Sequence, residues 1–372
     1  MIIQEISPLE MSSLHLVYDN MSPLDEKEGH RGIFHFLEHM MGQAIKPIEH
    51  ELYLNGIHDD FSTSHEYVKA SFSGTAEAME KMAVAIVRQI VFFDVNQFTE
   101  DEFESERTAV INENRDRKSD TFGATIYRAL KETYGIDDAD GKMEDVTAYT
   151  FDEFKKDFVR YAAHPSRIIY VGPRNVDFPD IVFSEKPIFD SIMEIIHSEP
   201  DEKDIVVKKS ADARTVVLIG AEPIIGNRDF AAMTMATQML GGDSESVLYN
   251  ELRVKNGLVY SCDYTTESFR TVGITLFYTS TASENVDKVI GIARNILENP
   301  VKLLTREHFD CCKRHFGFML KERNTMRFAG CLDLIRKGLI TDSKDLLDIE
   351  YPEFLEIVPK YLSKGKIRAF AG

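Results

Sequence analysis

The segment from His35 to His39 holds the residues whose types and spacing are best suited to chemistry. His35 and His39 are four residues apart, so on a helix their rings project from one face, one turn apart. Two neutral imidazoles placed in this way can meet one metal ion. Glu38 flanks the same face, where a carboxylate can take a proton from a water molecule at the metal. A catalytic zinc site needs three protein ligands and one open position, so the pair predicts a third ligand elsewhere.

An acidic segment that begins at Thr99 supplies candidates for this third ligand. Thr99 and Glu102 fit a capping box, which predicts a helix start, and no glycine or proline interrupts the chain before Gly123. Glu106 and Glu113 are seven residues apart and therefore share one face of that helix. A glutamate on an acidic surface helix is by default solvated. Likewise, a histidine pair alone is compatible with a solvated or packed helix face.

The combination of His35-x-x-Glu38-His39 with the downstream segment that ends at Glu113 resembles the pitrilysin family of zinc endopeptidases. The resemblance implies that His35, His39 and Glu113 bind one zinc ion per chain and that Glu38 is the general base. It also implies that Glu106 lies beside the site as an outer acidic residue, where it orients a ligand or the water.

The segment from Leu252 to Tyr260 resembles a second motif of this family, an arginine and a tyrosine seven residues apart. From the residues alone, Gly257 is typical of a helix C-terminal cap followed by a strand. The resemblance implies catalytic and substrate-binding roles, in which Tyr260 polarises or holds the scissile carbonyl and Arg253 fixes the peptide backbone. The long members of the family have four domains, and the metal site and this Arg/Tyr pair belong to different ones. The resemblance therefore implies a homodimer with active sites completed in trans, and it leaves a non-identical partner open.

The segment from about Asp60 to Ser73 is rich in β-branched and aromatic residues and predicts a strand. It resembles the edge strand on which members of the family bind substrate as an additional strand. The family pattern there begins with Asn-Ala, and Asp60 and Phe61 depart from it. The resemblance implies that Asp60, Phe61 and Thr63 contact the substrate, with altered subsite preference. His65 is expected to lie at the surface.

Composition limits the class of protein and its partners. The 372 residues contain 62 acidic and 43 basic residues, a net charge of −19, which argues against a nucleic-acid partner because phosphate binding needs basic surface. No apolar run is long enough to span a bilayer and no signal peptide is visible, so we expect no membrane association. The four cysteines form no C-x-x-C pair, which favours reduced thiols in the cytoplasm.

The second half of the chain is similar to the first at an offset of about 200 residues, which predicts two related domains. The aligned residues are Glu153-Phe154, Tyr161 and Gly172 in the first copy and Glu353-Phe354, Tyr361 and Gly372 in the second. The second copy has Met235, Gln238 and Met239 in place of the metal motif and Met319 in place of the downstream glutamate, so zinc ligands are expected only in the first.

The fold class that follows is α+β, with two related domains, each an antiparallel-rich mixed sheet packed with helices. Together they correspond to half of a pitrilysin-type clamshell. The predicted domains are 1–172, which carries the zinc site, and 205–372, which carries the Arg/Tyr motif, joined by a proline-containing linker at 173–204. The metal helix is expected to end at Gly42, before a separate helix from Ile48 to Leu54. The strand Ser13–Tyr18 is expected to come first, because the sequence before it does not show the Asn-Gly strand that commonly precedes it in the family.

The function that these features predict is hydrolysis of unfolded peptides by a zinc metalloendopeptidase inside a dimeric chamber. Two alternatives remain open at this level. One is a catalytically inactive pitrilysin-like scaffold or a peptide-binding subunit of a larger complex. The other is a peptide-binding chaperone in which zinc is only structural.

Overall fold

The structure is a computed structural model that describes residues 1–7, 10–185, 205–206, 213–269, 272–325 and 345–372. The predicted linker is thus described only as far as residue 185, and Cys331 lies outside the described residues. Two compact units divide the chain. Of the described residues, the first unit contains those within 1–116, 138–185 and 323–325, and the second contains those within 117–137, 205–322 and 345–372.

The secondary structure alternates between strands and helices in both units. The strands are β1 (Ile2–Ile6), β2 (Met11–Tyr18), β3 (His58–Thr63), β4 (Val68–Thr75), β5 (Arg167–Gly172), β6 (Ile205–Val206), β7 (Ala213–Gly220), β8 (Ile224–Ile225), β9 (Val259–Phe269), β10 (Val272–Ala282) and β11 (Ile367–Ala371). The helices are α1 (Ile33–Leu54), α2 (Ala76–Val91), α3 (Glu100–Ser119), α4 (Thr121–Tyr134), α5 (Met143–Ala148), α6 (Phe151–Asp157), α7 (Asn227–Gly241), α8 (Val247–Tyr249), α9 (Val286–Glu298), α10 (Arg306–Thr325), α11 (Asp345–Asp348) and α12 (Tyr351–Tyr361). Among the described residues, no helix has the length and apolar character needed to cross a membrane.

The sheet of the first unit has the strand order β1-β5-β2-β4-β3. β1 runs parallel to β5, and the other pairs are antiparallel. Leu14, Leu16 and Tyr18 alternate along β2 and lie in the hydrophobic core with α1 and α2, because successive strand residues face opposite sides of a sheet. The expectation that no strand precedes β2 is wrong. Ile2–Ile6 forms one, and its half-exposed residues gave no alternating pattern that would have indicated it.

Helix α1 is continuous for 22 residues, so the predicted break at Gly42 is wrong. Met40 and Met41 before the glycine, and Ala44 and Ile45 after it, are buried in one core. Burying these side chains outweighs the intrinsic penalty of about 1 kcal/mol for a glycine in a helix.

The segment predicted as one strand is a hairpin of β3 and β4. The turn is stabilised by Ser64, whose side chain accepts hydrogen bonds from the backbone of Glu66 and Tyr67 at 3.2 and 3.1 Å. A serine that bonds to the backbone two or three residues ahead favours a turn over a strand. His65 lies in this turn and is half-buried, and burial lowers its pKa, so the expectation of a surface histidine is wrong.

The second unit repeats the plan of the first, which confirms the prediction of two related α+β domains. β11 and β10 flank β7 as antiparallel neighbours, just as β5 and β4 flank β2. β9 pairs with β10 as β3 pairs with β4, and β6 runs parallel to β11 as β1 does to β5.

Helix α4 packs on the sheet of the second unit, although its position in the chain lies within the predicted first domain. The Tyr134 hydroxyl donates a hydrogen bond to the Gly220 carbonyl, and the rings of Phe122 and Tyr278 meet edge to face at 5.3 Å. The chain therefore crosses from the first unit to the second and back before β5. A boundary drawn from sequence order alone does not include this crossing, because the contacts that cause it are between distant residues.

Candidate metal centre

Helix α1 presents His35, Glu38 and His39 because its N-terminus is fixed a few residues earlier. The Glu26 carboxylate accepts hydrogen bonds from the backbone N–H groups of Gly32 and Phe34, both at 2.7 Å. These N–H groups have no partner within a helix, and a carboxylate also interacts favourably with the helix dipole at this end. The start of the metal-binding face is thereby held in register.

Helix α3 brings Glu113 to the two histidines. Glu113 Oε2 lies 3.6 Å from His35 Nε2 and 3.2 Å from His39 Nε2. One ligand atom from each of the three residues lies within 4.8 Å of the other two. A tetrahedral zinc ion with bonds of about 2.0–2.1 Å holds its ligand atoms about 3.3 Å apart, so these separations fit one ion. Two imidazole nitrogens and a carboxylate oxygen are also ligand types that zinc accepts.

Glu38 lies beside this cluster and is almost completely buried. Its Oε2 is 3.8 Å from His35 Nε2, and it accepts a hydrogen bond from the Thr63 hydroxyl at 3.3 Å. Burial raises the pKa of Glu38 to about 7, and the charges of Glu113 and Asp60 act in the same direction. A carboxyl group with such a pKa can accept and release a proton near neutral pH, as a general base must.

Glu106 contacts the outer face of His39. Its Oε2 lies 3.1 Å from His39 Nδ1, and the Gln43 side-chain amide donates to its other oxygen. Burial alone lowers the pKa of His39, but the hydrogen bond to Glu106 and the charges of Glu38 and Glu113 outweigh it, so the pKa is raised. Glu106 is thus placed to orient His39.

Asp140 is a further acidic residue at this site, and the sequence analysis missed it. Its side chain is buried, and Oδ1 lies 3.8 Å from His35 Nδ1. The only signal in the sequence is the Asp-Gly pair at 140–141, which is typical of a turn and indicates nothing about a metal site. Its proximity to His35 arises from the path of the loop between α4 and α5.

The three residues predicted to bind substrate lie on β3, which ends the strand order of the first sheet. Asp60 forms an ion pair with Lys69 at 3.3 Å, and the Phe61 ring packs edge to face on Phe72 at 5.8 Å. Thr63 instead bonds to the candidate base. Among the described residues β3 pairs only with β4, so its other backbone edge is the one on which a peptide could add.

Arg253 and Tyr260 lie together in the second unit. The Arg253 guanidinium sits over the Tyr260 ring at 4.7 Å and donates to the Val259 carbonyl at 3.2 Å. A cation–π contact of this kind holds the tyrosine in one orientation, and Tyr260 is 79% exposed. Gly257, at a φ of 60°, ends the π-helical turn Asn250–Lys255 before β9, as its cap pattern predicted. The pairing of this motif with a metal centre, in cis or in trans, stays a prediction.

The sequence is similar to those of known peptidases. The model of the peptidase M16 inactive domain matches residues 190–316. A relative from Rickettsia bellii, named an uncharacterized zinc protease, is 24% identical over 77% of this chain and 72% of its own length. Both findings support membership of this chain in the M16, or pitrilysin, family of peptidases.

Solved structures of low sequence identity share the fold of this chain. A protease from Helicobacter pylori superimposes with a TM-score of 0.80 at 18% identity, covering 100% of this chain and 96% of the other. A peptidase M16 inactive domain from Pseudomonas fluorescens does so with a TM-score of 0.79 at 15% identity, covering 100% and 94%.

The inactive-domain match falls on the half of the chain that has no zinc motif. His35, His39 and Glu113 all precede residue 190, and among the described residues they form the group of three side chains that could hold a metal ion. Met235 and Met239, which replace the histidines in the repeat, are fully buried on α7. The match therefore describes the second unit and leaves the chemistry of the first unit open.

Proposed function

We propose that this chain is a zinc metalloendopeptidase that hydrolyses unfolded peptides. The observation that carries the proposal is the convergence of His35 Nε2, His39 Nε2 and a Glu113 oxygen beside the buried Glu38 carboxylate. A purely structural zinc site is usually closed by four protein ligands and needs no base. Here three ligands leave one position open. The name of the Rickettsia bellii relative supports the same activity.

The proposed mechanism gives each residue of the site a defined task. Zinc held by the two histidines and Glu113 would supply a Lewis acid that acts on the scissile carbonyl and on the attacking water. Glu38 takes a proton from that water as its oxygen attacks, and then donates the proton to the nitrogen of the leaving amine. The hydrogen bond from Thr63 fixes the orientation of the Glu38 carboxylate beside the metal-binding cluster.

The substrate is proposed to lie extended along β3, with backbone hydrogen bonds to its outer edge. Backbone pairing needs an unfolded segment, so unstructured peptides are the proposed substrates. Tyr260, exposed and oriented by Arg253, is proposed to donate a hydrogen bond to the carbonyl oxygen as negative charge develops on it. In this proposal the enzyme is a homodimer in which each subunit supplies this pair to the metal centre of the other.

A reducing cellular compartment, the cytoplasm, is the proposed location. Cys262 and Cys312 are buried free thiols, and burial raises the pKa of both to about 12. Such thiols remain protonated and unreactive, and they contribute to the core of the second unit as small apolar side chains.

The decisive experiment combines zinc analysis with hydrolysis of an unstructured peptide pool. The expected result is one zinc ion per chain and cleavage at internal peptide bonds, lost on chelation and restored by added zinc. Glu38→Gln should retain the zinc and lose turnover. Zinc-loaded protein that cleaves no peptide in the pool would contradict the proposal.

A non-catalytic scaffold is the second candidate. The inactive-domain match and the structural similarity to an inactive domain from Pseudomonas fluorescens favour it. The complete set of ligands and the base in the first unit favour the enzyme instead. Under the scaffold alternative, His35→Ala would leave the function of the protein unchanged, so the same zinc and cleavage measurements separate the two.

A further inference from the structure

Both histidines of the metal helix have a second ring nitrogen that faces a carboxylate. Each presents Nε2 to Glu113, at 3.6 Å from His35 and 3.2 Å from His39. On the opposite side of the ring, His39 Nδ1 lies 3.1 Å from Glu106 and His35 Nδ1 lies 3.8 Å from Asp140. Glu106 is on the same helix as Glu113, whereas Asp140 comes from the loop between α4 and α5. Two separate parts of the chain thus place a carboxylate in equivalent positions.

We propose that Asp140 is the positioning residue for His35, in the same way that Glu106 orients His39. The inference rests on the proposed function only in taking His35 as a zinc ligand. A neutral imidazole binds a metal through the nitrogen that carries no proton, and the partner of its other nitrogen decides which one that is. A carboxylate at Nδ1 favours the tautomer with its proton there. It thereby leaves the Nε2 lone pair directed toward Glu113.

The pair of Asp140 and His35 is more deeply buried than the pair of Glu106 and His39. Both of its side chains are 3% exposed, whereas Glu106 is 17% and His39 is 21% exposed. An electrostatic interaction is screened less as it becomes more buried. At 3.8 Å the Asp140 carboxylate is farther from Nδ1 than a hydrogen bond reaches, and it acts on the ring by attracting a proton to that nitrogen. Loss of the Asp140 charge should therefore weaken zinc binding.

The loop that carries Asp140 is attached to both ligand-bearing helices. Asn114, the buried residue after Glu113, donates its side-chain amide to the carbonyls of Asp140 and Gly141 at 3.1 and 3.3 Å. Gly141 has a φ of 74°, and a Cβ atom there would lie 2.1 Å from the backbone nitrogen of Gly32. The loop therefore touches the chain just before α1 and is bonded to α3 beside Glu113. Its position couples the two elements that must converge on zinc.

The test is the zinc affinity of Asp140→Asn, measured by competition with a chromogenic chelator. Asparagine keeps the size of the side chain and removes its charge. We expect affinity to fall about 10–100-fold, the usual effect of losing a carboxylate behind a metal-binding histidine. Glu144→Gln is the matched control, because it removes one charge at an exposed position four residues away and should leave affinity unchanged. Circular dichroism of the metal-free Asp140→Asn protein should match that of the unaltered protein, so that a fall in affinity reports on the metal centre.

A second measurement uses the unaltered protein and does not depend on how the variant folds. Proton and nitrogen NMR of isotope-labelled histidine in the zinc-loaded protein should show the His35 Nδ1 proton shifted downfield and slow to exchange, because the Asp140 carboxylate attracts it. A rapidly exchanging His35 Nδ1 proton without this shift would overturn the proposal, and so would unchanged zinc affinity in folded Asp140→Asn. Neither measurement involves peptide cleavage. Zinc-binding protein without peptidase activity would therefore reject the proposed function and leave this inference intact.

Discussion

Helices α1 and α7 occupy equivalent places in the two units and differ in what their buried faces contain. Each follows the strand that lies between two antiparallel neighbours, β2 in one unit and β7 in the other. At the positions of His35 and His39, α7 has Met235 and Met239, both fully buried in an apolar core. The shared fold therefore needs only an apolar side chain at these places. Folding does not require histidines at these two positions.

The surroundings of the two helices explain why only one can hold a metal. Around α1, the carboxylates of Glu106, Glu113 and Asp140 face the imidazole nitrogens. Buried imidazoles without polar partners are unfavourable, so the histidines and the carboxylates depend on each other. In the second unit the position that corresponds to Glu113 is Met319, by the sequence repeat. In the second unit, methionines thus stand in place of both the histidines and the glutamate.

Replacing one histidine by its counterpart in the repeat is the largest expected change. His39→Met should abolish stoichiometric zinc binding and peptide cleavage, because two ligands remain of three. The free energy of unfolding of the metal-free protein should change by no more than about 1 kcal/mol, because His39 is at the rim of the core and methionine adapts to irregular space. Met239→Leu is the control and should keep both zinc and turnover. Retained zinc in His39→Met would mean that His39 is not a ligand.

The sequence predicted those structural features of the chain that depend on periodic patterns and local helix caps. Helix α3 begins directly after Thr99 as predicted, and the cap formed by Thr99 and Glu102 is present, with a hydrogen bond of 2.8 Å from the Thr99 N–H to the Glu102 carboxylate. These features depend on residues that are close in sequence. The convergence of Glu113 with the histidines followed from a family motif, since no local pattern shows it.

The features that were not predicted depend on contacts between distant residues. Gly42 stays helical because the core on both sides of it is buried, and residues 121–134 leave the first unit because their apolar face fits the second sheet. The turn at Ser64 depends on one side chain and interrupts a composition that is otherwise typical of a strand. Asp140 reaches His35 through a loop bonded to Asn114. None of these contacts produces a periodic signal.

Glu38→Gln tests whether the first unit is catalytic as well as able to bind zinc. Turnover should fall about 10²–10⁴-fold, the usual contribution of a general base, because glutamine cannot accept the proton. Zinc content should be unchanged, because Glu38 is not one of the ligands. Gln238→Ala changes the corresponding residue of α7 and should leave turnover as it is. An active Glu38→Gln enzyme would assign the base to another residue.

Mixed dimers test whether the two units of different subunits form one active site. Arg253→Ala and His35→Ala proteins should each be inactive, the first through the lost orientation of Tyr260 and the second through lost zinc. Co-refolded together they should recover about a quarter of the activity, because half of the dimers are mixed and each mixed dimer has one intact site of two. The measurement is the rate of peptide cleavage against the mixing ratio. A mixture as inactive as its components would show that both motifs act within one chain.

The smallest effect concerns two threonines that start equivalent helices, Thr99 before α3 and Thr305 before α10. The Thr99 hydroxyl accepts the N–H of Glu102 at 3.2 Å, and the Thr305 hydroxyl accepts the N–H of His308 at 3.3 Å. Alanine at either position should lower the free energy of unfolding by about 0.5–2 kcal/mol, measured by urea denaturation of the metal-free protein. Of these two helices, only α3 carries residues of the metal centre, Glu106 and Glu113. Thr99→Ala should therefore also weaken zinc binding slightly, whereas Thr305→Ala should not. Equal zinc affinities in the two variants would mean that the last turns of α3 hold Glu113 independently of its start.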